Sequence, residues 1–234
     1  MFKLIKLEWR KNNILKYIRN AFILAVVLCI FIFAMAFLGI ANDPDGTLDA
    51  AEGKNIISSP IELFTSISFL VFTGVMYASF IVSAYKNKTM ALMFTYPVKR
   101  QKILISQMAA VWVFNFTALV LTKLFIYICI YAGSKNMQPS FVIDFNMADP
   151  YFYIQLLAKS FVTISMGFIA LFAGLMLKSS KAAVVASFLL VIFTEANIGD
   201  FSLAGNSLFL VILTVLSFIF AGLSVCNAET RDLI

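Results

Sequence analysis

The chain has 234 residues, of which 62% are hydrophobic and 13% charged, and its mean hydropathy is +0.94. Its 18 Lys+Arg and 12 Asp+Glu cannot furnish the polar shell of a water-soluble globule this long, whereas a bilayer accepts apolar surface and asks only that backbone groups pair internally. The net charge of +6 is clustered between apolar runs rather than spread along one face, which fits membrane topology and argues against a nucleic-acid partner.

There is no His, which removes the commonest metal ligand and the usual general base, so neither a metal site nor a catalytic residue is expected. Cys29, Cys129 and Cys226 lie inside apolar stretches without paired spacing and read as small buried hydrophobes.

In chain order, residues 1–20 come first. As a helix they place Leu4, Leu7, Ile14, Leu15 and Ile18 on one side, among basic residues. The segment is expected to be an interfacial helix in the headgroup layer, with Trp9 and Tyr17 as anchors. Six apolar runs follow, at about 21–41, 61–85, 103–132, 151–177, 182–198 and 203–228. A bilayer core of about 30 Å takes roughly 20 residues to cross, and all six reach that length or nearly do. The fifth is short, lies between Lys181 and Glu195, and is followed by Gly199, Asp200 and Gly205, where the chain is expected to turn. The first run has no small-residue cleavage pattern directly after it and is expected to stay in the mature protein.

The fold class is therefore an all-α, polytopic membrane protein with six transmembrane helices, residues 1–234 forming a single domain. Orientation follows from the basic residues. Lys3, Lys6, Arg10, Lys11, Lys16 and Arg19 precede the first span, Lys86, Lys88, Lys99, Arg100 and Lys102 join the second to the third, and Lys178 and Lys181 join the fourth to the fifth. The opposite connections carry only Lys54 and Lys135, so the positive-inside rule puts both termini in the cytoplasm.

The connection between spans two and three is neither plain linker nor membrane segment. Met90, Met93, Phe94 and Pro97 follow helical spacing and give a short apolar face flanked by cations, and Pro97 both discourages helix at Tyr96 and suits the first turn of the next one. A helix of one or two turns is marginal alone, so its apolar face should pack into headgroups or into a groove on a partner.

Here the sequence resembles the permease subunits of ABC-2 type exporters. These have six membrane helices, an N-terminal interfacial helix and, after the second span, a cytoplasmic element reading Thr, an apolar stretch, Pro, an apolar residue, a small or basic residue and Arg. This chain has Thr89, Leu92, Met93, Pro97, Val98, Lys99 and Arg100 at the matching places, with Tyr85, Lys86 and Lys88 where the family carries an acid and a glycine. The resemblance implies that residues 86–100 form a coupling helix docked on a separate cytoplasmic ATPase. Thr89, Met90, Leu92, Met93 and Phe94 would supply the contact, Pro97 the bend, and Lys99 and Arg100 the polar rim. It also implies two ATPase copies that hold ATP and Mg, a second permease copy as a homodimer, surrounding membrane lipid, a bacterial cell-membrane location, and a cargo of amphipathic or toxic peptides. No Gly-rich phosphate loop followed by Lys and Ser or Thr occurs in the sequence, so this chain is expected to bind no cofactor and to be no enzyme itself.

Lys123 and Lys159 fall within spans three and four, about 13–15 Å from the outer connections along a helix. A lysine near the bilayer centre costs roughly 2.5–3.5 kcal/mol on insertion scales, so each should face the bundle, meet an acid or snorkel. Glu62 and Glu195 are the available acids, and the four residues are expected either to line a translocation path or to form intramembrane ion pairs. Two other classes of function stay open. An ATP-independent channel or secondary carrier would call for repeats and interrupted helices, and an intramembrane enzyme would need polar pairs that only Glu62 and Glu195 could supply.

Overall fold

Two asparagines end the first helix. Helix α1 (Phe2–Lys11) stops at Asn12 and Asn13, and Asn13 takes the left-handed conformation at φ 49°, which Asn tolerates better than most residues, before α2 (Ile14–Leu38) begins. The expected interfacial segment 1–20 is thus divided: its last residues already belong to a membrane-length helix of 25 residues. The computed structural model describes residues 2–38, 57–83, 100–134, 145–194, 197–198, 201–202 and 207–230.

Helix α3 (Ser58–Tyr77) continues into a π turn over Ala78–Val82. Around this end Tyr77, Phe80, Ile81 and Val82 are all buried, so the helix is enclosed by neighbours on most sides. Then come α4 (Arg100–Ser134), α5 (Pro150–Met176), α6 (Ser180–Thr194) and α7 (Ser207–Thr230). Between the last two lies a minimal antiparallel ribbon of β1 (Asn197–Ile198) and β2 (Phe201–Ser202), with Asn197 opposite Ser202 and Ile198 opposite Phe201.

Helix α5 shows how sequence sets these boundaries. Asp149 is its N-cap, accepting the Tyr151 backbone N–H at 3.0 Å, and Pro150 fills the first position, where no N–H is needed. At the other end Lys178 adopts φ 47°. The Lys178 N–H then reaches the Leu175 carbonyl at 3.3 Å and the Ser179 N–H reaches that of Gly174 at 3.2 Å, the two bonds of a Schellman turn. The chain reverses there directly into α6.

Among the described residues, five helical segments are long and apolar enough to cross a membrane: Ile14–Phe37, Ser58–Val82, Gln101–Ser134, Pro150–Met176 and Phe209–Cys226. Helix α6 has 15 residues, a rise of about 22 Å against a hydrocarbon core of roughly 30 Å. The protein is a multi-pass, helical membrane protein. Its lipid-facing sides are lined by exposed Phe22, Ile23 and Val27 of α2, Phe188 and Leu189 of α6, and Val211 and Ile212 of α7.

Inside the bundle, helix contacts are close because small residues meet. A Cβ on Gly174 of α5 would stand 2.6 Å from the Ala183 Cβ of α6, and one on Gly74 of α3 would stand 2.7 Å from the Ser187 Cβ. Since lipid tails are as apolar as the side chains, this dense packing, and not removal from water, favours association. One buried cluster unites Leu28 and Ile32 of α2 with Ile61, Phe69, Leu119, Ile126 and Leu156; a second joins Met76, Tyr77 and Phe80 to Leu104, Met108, Phe168 and Leu171.

Candidate functional site

Most buried hydroxyls on these helices satisfy themselves within their own helix: Thr65 donates to the Ile61 carbonyl, Thr73 to that of Phe69 and Ser160 to that of Leu156. Polar contacts that run between helices are therefore informative: in mid-bundle the Trp112 indole N–H donates to the Ser165 hydroxyl at 3.3 Å and the Asn115 amide to the Met76 sulfur at 3.3 Å, and the charged ones lie toward the two ends.

At one end, α1 is fastened to the beginning of α4. The Trp9 indole N–H donates to the Ala110 carbonyl at 3.0 Å, and the Gln107 side-chain amide donates to Glu8 Oε1 at 3.3 Å. Glu8 is only 9% exposed and Gln107 is fully buried. The other Glu8 oxygen lies 3.8 Å from Lys11 Nζ, and Asn12 caps the turn by donating to the Glu8 backbone carbonyl. Tyr17, in α2, shares a 2.7 Å hydrogen bond with Ser79 inside the π turn of α3. Trp9 and Tyr17, expected as anchors in headgroups, thus both bond to the protein. Sequence periodicity missed Glu8, Gln107 and Ser79, although an acid alone among six basic residues at the start of the chain is a signal that it has a partner.

At the far end, Lys123 of α4 is fully buried, and its Nζ lies 2.6 Å from Oε2 of Glu62 in the second turn of α3, whose side chain is 20% exposed. Glu62 also lines a cavity of about 250 Å³ between the starts of α3 and α5 and the second half of α4. Lys159, half-buried, and Asp149, exposed, line the same cavity, as do Ser58, Gln155 and Tyr151. Its apolar wall is a cluster of rings: Tyr127 meets Phe145 and Phe152 edge-on with centroids 4.8 and 4.9 Å apart. Three of the four expected intramembrane charges, Glu62, Lys123 and Lys159, are brought to this end. Glu195 lies outside the described residues.

Thr89, Met90, Leu92, Met93, Phe94, Pro97 and Lys99 also lie outside the described residues, and Arg100 is the first residue of α4. Among the described residues there is no cluster of metal-ligating side chains. The aromatic wall and the Gln155 contribution were not anticipated; the Asp149–Pro150 pair is the helix-start signature that marks where the cavity rim begins.

The architecture thus defines a membrane-embedded helical bundle with charged contacts between helices toward each end. The chain is similar to YcbO, an uncharacterised protein of Bacillus subtilis strain 168, at 24% identity over 231 residues, which is 98% of this chain and 99% of that protein. The alignment therefore takes in all the helices described above. No family model and no solved structure matches the chain.

Proposed function

We propose that this protein is the membrane-spanning permease subunit of an ATP-driven exporter of the ABC-2 type, moving amphipathic or toxic peptides out of a bacterial cell. In this reading α6 and the 197–202 ribbon complete a sixth crossing, and both termini face the cytoplasm. Two copies form the membrane part, and two copies of a cytoplasmic ATPase, holding ATP and Mg, dock on residues 86–100.

The observation that carries the reading is how the N-terminal segment holds both flanks of that stretch. Residues 84–99 connect the π turn of α3 to the start of α4, and Tyr17 bonds to the first while Trp9 and Glu8 bond to the second. A push delivered to the connecting segment would meet two helix ends tied to a common strut, so it would move α3 and α4 relative to the rest of the bundle and not dissipate in a loose loop. The motif of Thr89, Leu92, Met93, Pro97 and Arg100 adds the docking chemistry, and the sequence contains no phosphate-binding loop with which the chain could hydrolyse ATP itself.

The test is copurification. The wild-type protein brings down a cytoplasmic ATPase encoded by its own cell, and the variant with Met93→Asp and Phe94→Asp loses it while still reaching the membrane. An ATPase retained by that variant, or absent from the wild type, rejects the reading.

A further inference from the structure

The cavity at the far end separates its charges by depth. Glu62 is neutralised by Lys123 at 2.6 Å, and Asp149 sits exposed at the rim, its Oδ1 accepting the Tyr151 N–H. Lys159 lies ten residues further along α5, about 15 Å from Asp149 along the axis, and forms no ion pair with any described residue. The deep part of the cavity therefore holds one surplus positive charge. The start of α3 adds to it: Ile57 provides no side-chain cap, and Ser58 of its first turn lines the cavity, so the positive end of the helix dipole lies beside it.

Beside that charge stands an apolar wall of Tyr127, Phe145 and Phe152. A ligand that satisfies both features carries a single negative charge on an apolar body. The volume of about 250 Å³ is below the roughly 300–1,000 Å³ of pockets that engulf drug-sized molecules, so the site takes an end group and not a whole chain. Depth separates a peptide from a lipid. Tyr151, 66% exposed, and Tyr153 mark the aromatic belt, and Lys159 is six to eight residues below them, about 9–12 Å. A lipid phosphate is held in the headgroup layer by its own acyl chains, whereas a terminal carboxylate can descend.

We propose that this cavity binds the carboxyl terminus of an apolar peptide, with Lys159 as the counter-ion to the carboxylate and the Tyr127, Phe145 and Phe152 rings against the last side chain. This deepens the exporter reading and rests on it for the statement that the ligand is cargo. The Lys123–Glu62 pair is then a fixed neutral floor that keeps Glu62 from competing for Lys159.

The experiment uses the full chain in phosphatidylcholine nanodiscs and a Leu- and Phe-rich pentapeptide with either a free carboxylate or a carboxamide end, with binding followed by calorimetry. The acid binds about ten- to a hundredfold more tightly than the amide, the range that a hydrogen bond to a charged group supplies. Lys159→Met abolishes that preference and Lys159→Arg keeps it. Equal binding of acid and amide to the wild type overturns the proposal whatever the variants do, as does a preference that survives in Lys159→Met. Displacement of the acid by phosphatidylglycerol at matched concentrations overturns it in favour of a lipid headgroup. The readout needs no ATPase, so a preference for the acid together with failed copurification would reject the exporter and leave the site.

Discussion

Lys123 and Glu62 are 61 positions apart in the chain, yet Lys123 Nζ and Glu62 Oε2 lie 2.6 Å apart, joining the second half of α4 to the beginning of α3. The two ends of this pair differ in burial. Lys123 has no exposed surface, whereas a fifth of the Glu62 side chain is accessible from the cavity.

That asymmetry fixes the order of effects. Glu62→Gln takes the opposing charge away from a fully buried ammonium and should destabilise the protein by up to about 3–5 kcal/mol, while Lys123→Met leaves a carboxylate that can still draw water from the cavity and should cost less. The double variant should recover most of the loss, because no buried charge remains without its counter-charge and the amide introduced at position 62 can be hydrated from the cavity. Thermal unfolding of the four proteins in one detergent, analysed as a double-mutant cycle, reads this directly. Additive losses would mean that the pair is not coupled in the folded protein.

The strut at the other end makes a separate prediction. Gln107→Leu removes the donor to Glu8, a charge-assisted bond worth about 1.5–3 kcal/mol, without touching the apolar contacts of α1. Amide exchange in residues 2–11 should accelerate about tenfold or more while exchange in α5 stays unchanged. Trp9→Phe, which loses a neutral hydrogen bond to the Ala110 carbonyl, should do the same more weakly. Unaltered exchange in Gln107→Leu would show that packing alone holds α1.

Hydropathy made the membrane class legible, together with five of its spans, because a helix that faces lipid must be apolar over its length. It also marked the weak fifth run, which forms the 15-residue α6. The break at Asn12–Asn13 was hidden, since nothing in the apolar spacing registers a left-handed backbone at one polar residue. Lys123 and Glu62 were legible as charges in need of partners, but which acid met which lysine depends on helix order in the bundle, and no local pattern records that. The same holds for Trp9 and Tyr17. An aromatic ring with one polar tip suits a headgroup layer and a neighbouring helix equally well, and only the tertiary structure shows which protein groups the two tips bond.

Close approach of α5 and α6 gives a packing prediction. Gly174→Ala adds a methyl group 2.6 Å from the Ala183 Cβ and 3.1 Å from Val82 Cγ2. The gain of about 0.5–1 kcal/mol from replacing a helical Gly is smaller than the roughly 1–3 kcal/mol that overpacking costs. The variant should therefore melt lower than wild type, and adding Ala183→Gly should return part of the loss by moving the methyl group to the facing helix. No rescue in the double variant would place the strain at Val82 instead.

Sidedness follows from charge and has its own measurement. The basic connection through Lys99 and the acidic one through Asp43, Asp45 and Asp49 flank α3 in the sequence, and a single crossing by Ser58–Val82 puts them on opposite sides of the membrane. Only the first carries a cluster of Lys and Arg, so it should face the cytoplasm. With Cys29, Cys129 and Cys226 replaced by Ala, single cysteines at Asn42 and Lys99 report each side to a membrane-impermeant maleimide. Asn42→Cys should label in intact cells and Lys99→Cys only after lysis. The reverse pattern would turn the basic connection away from any cytoplasmic ATPase and remove the exporter reading. Labelling of both in intact cells would instead mean that α3 does not cross the membrane, against its length and hydropathy.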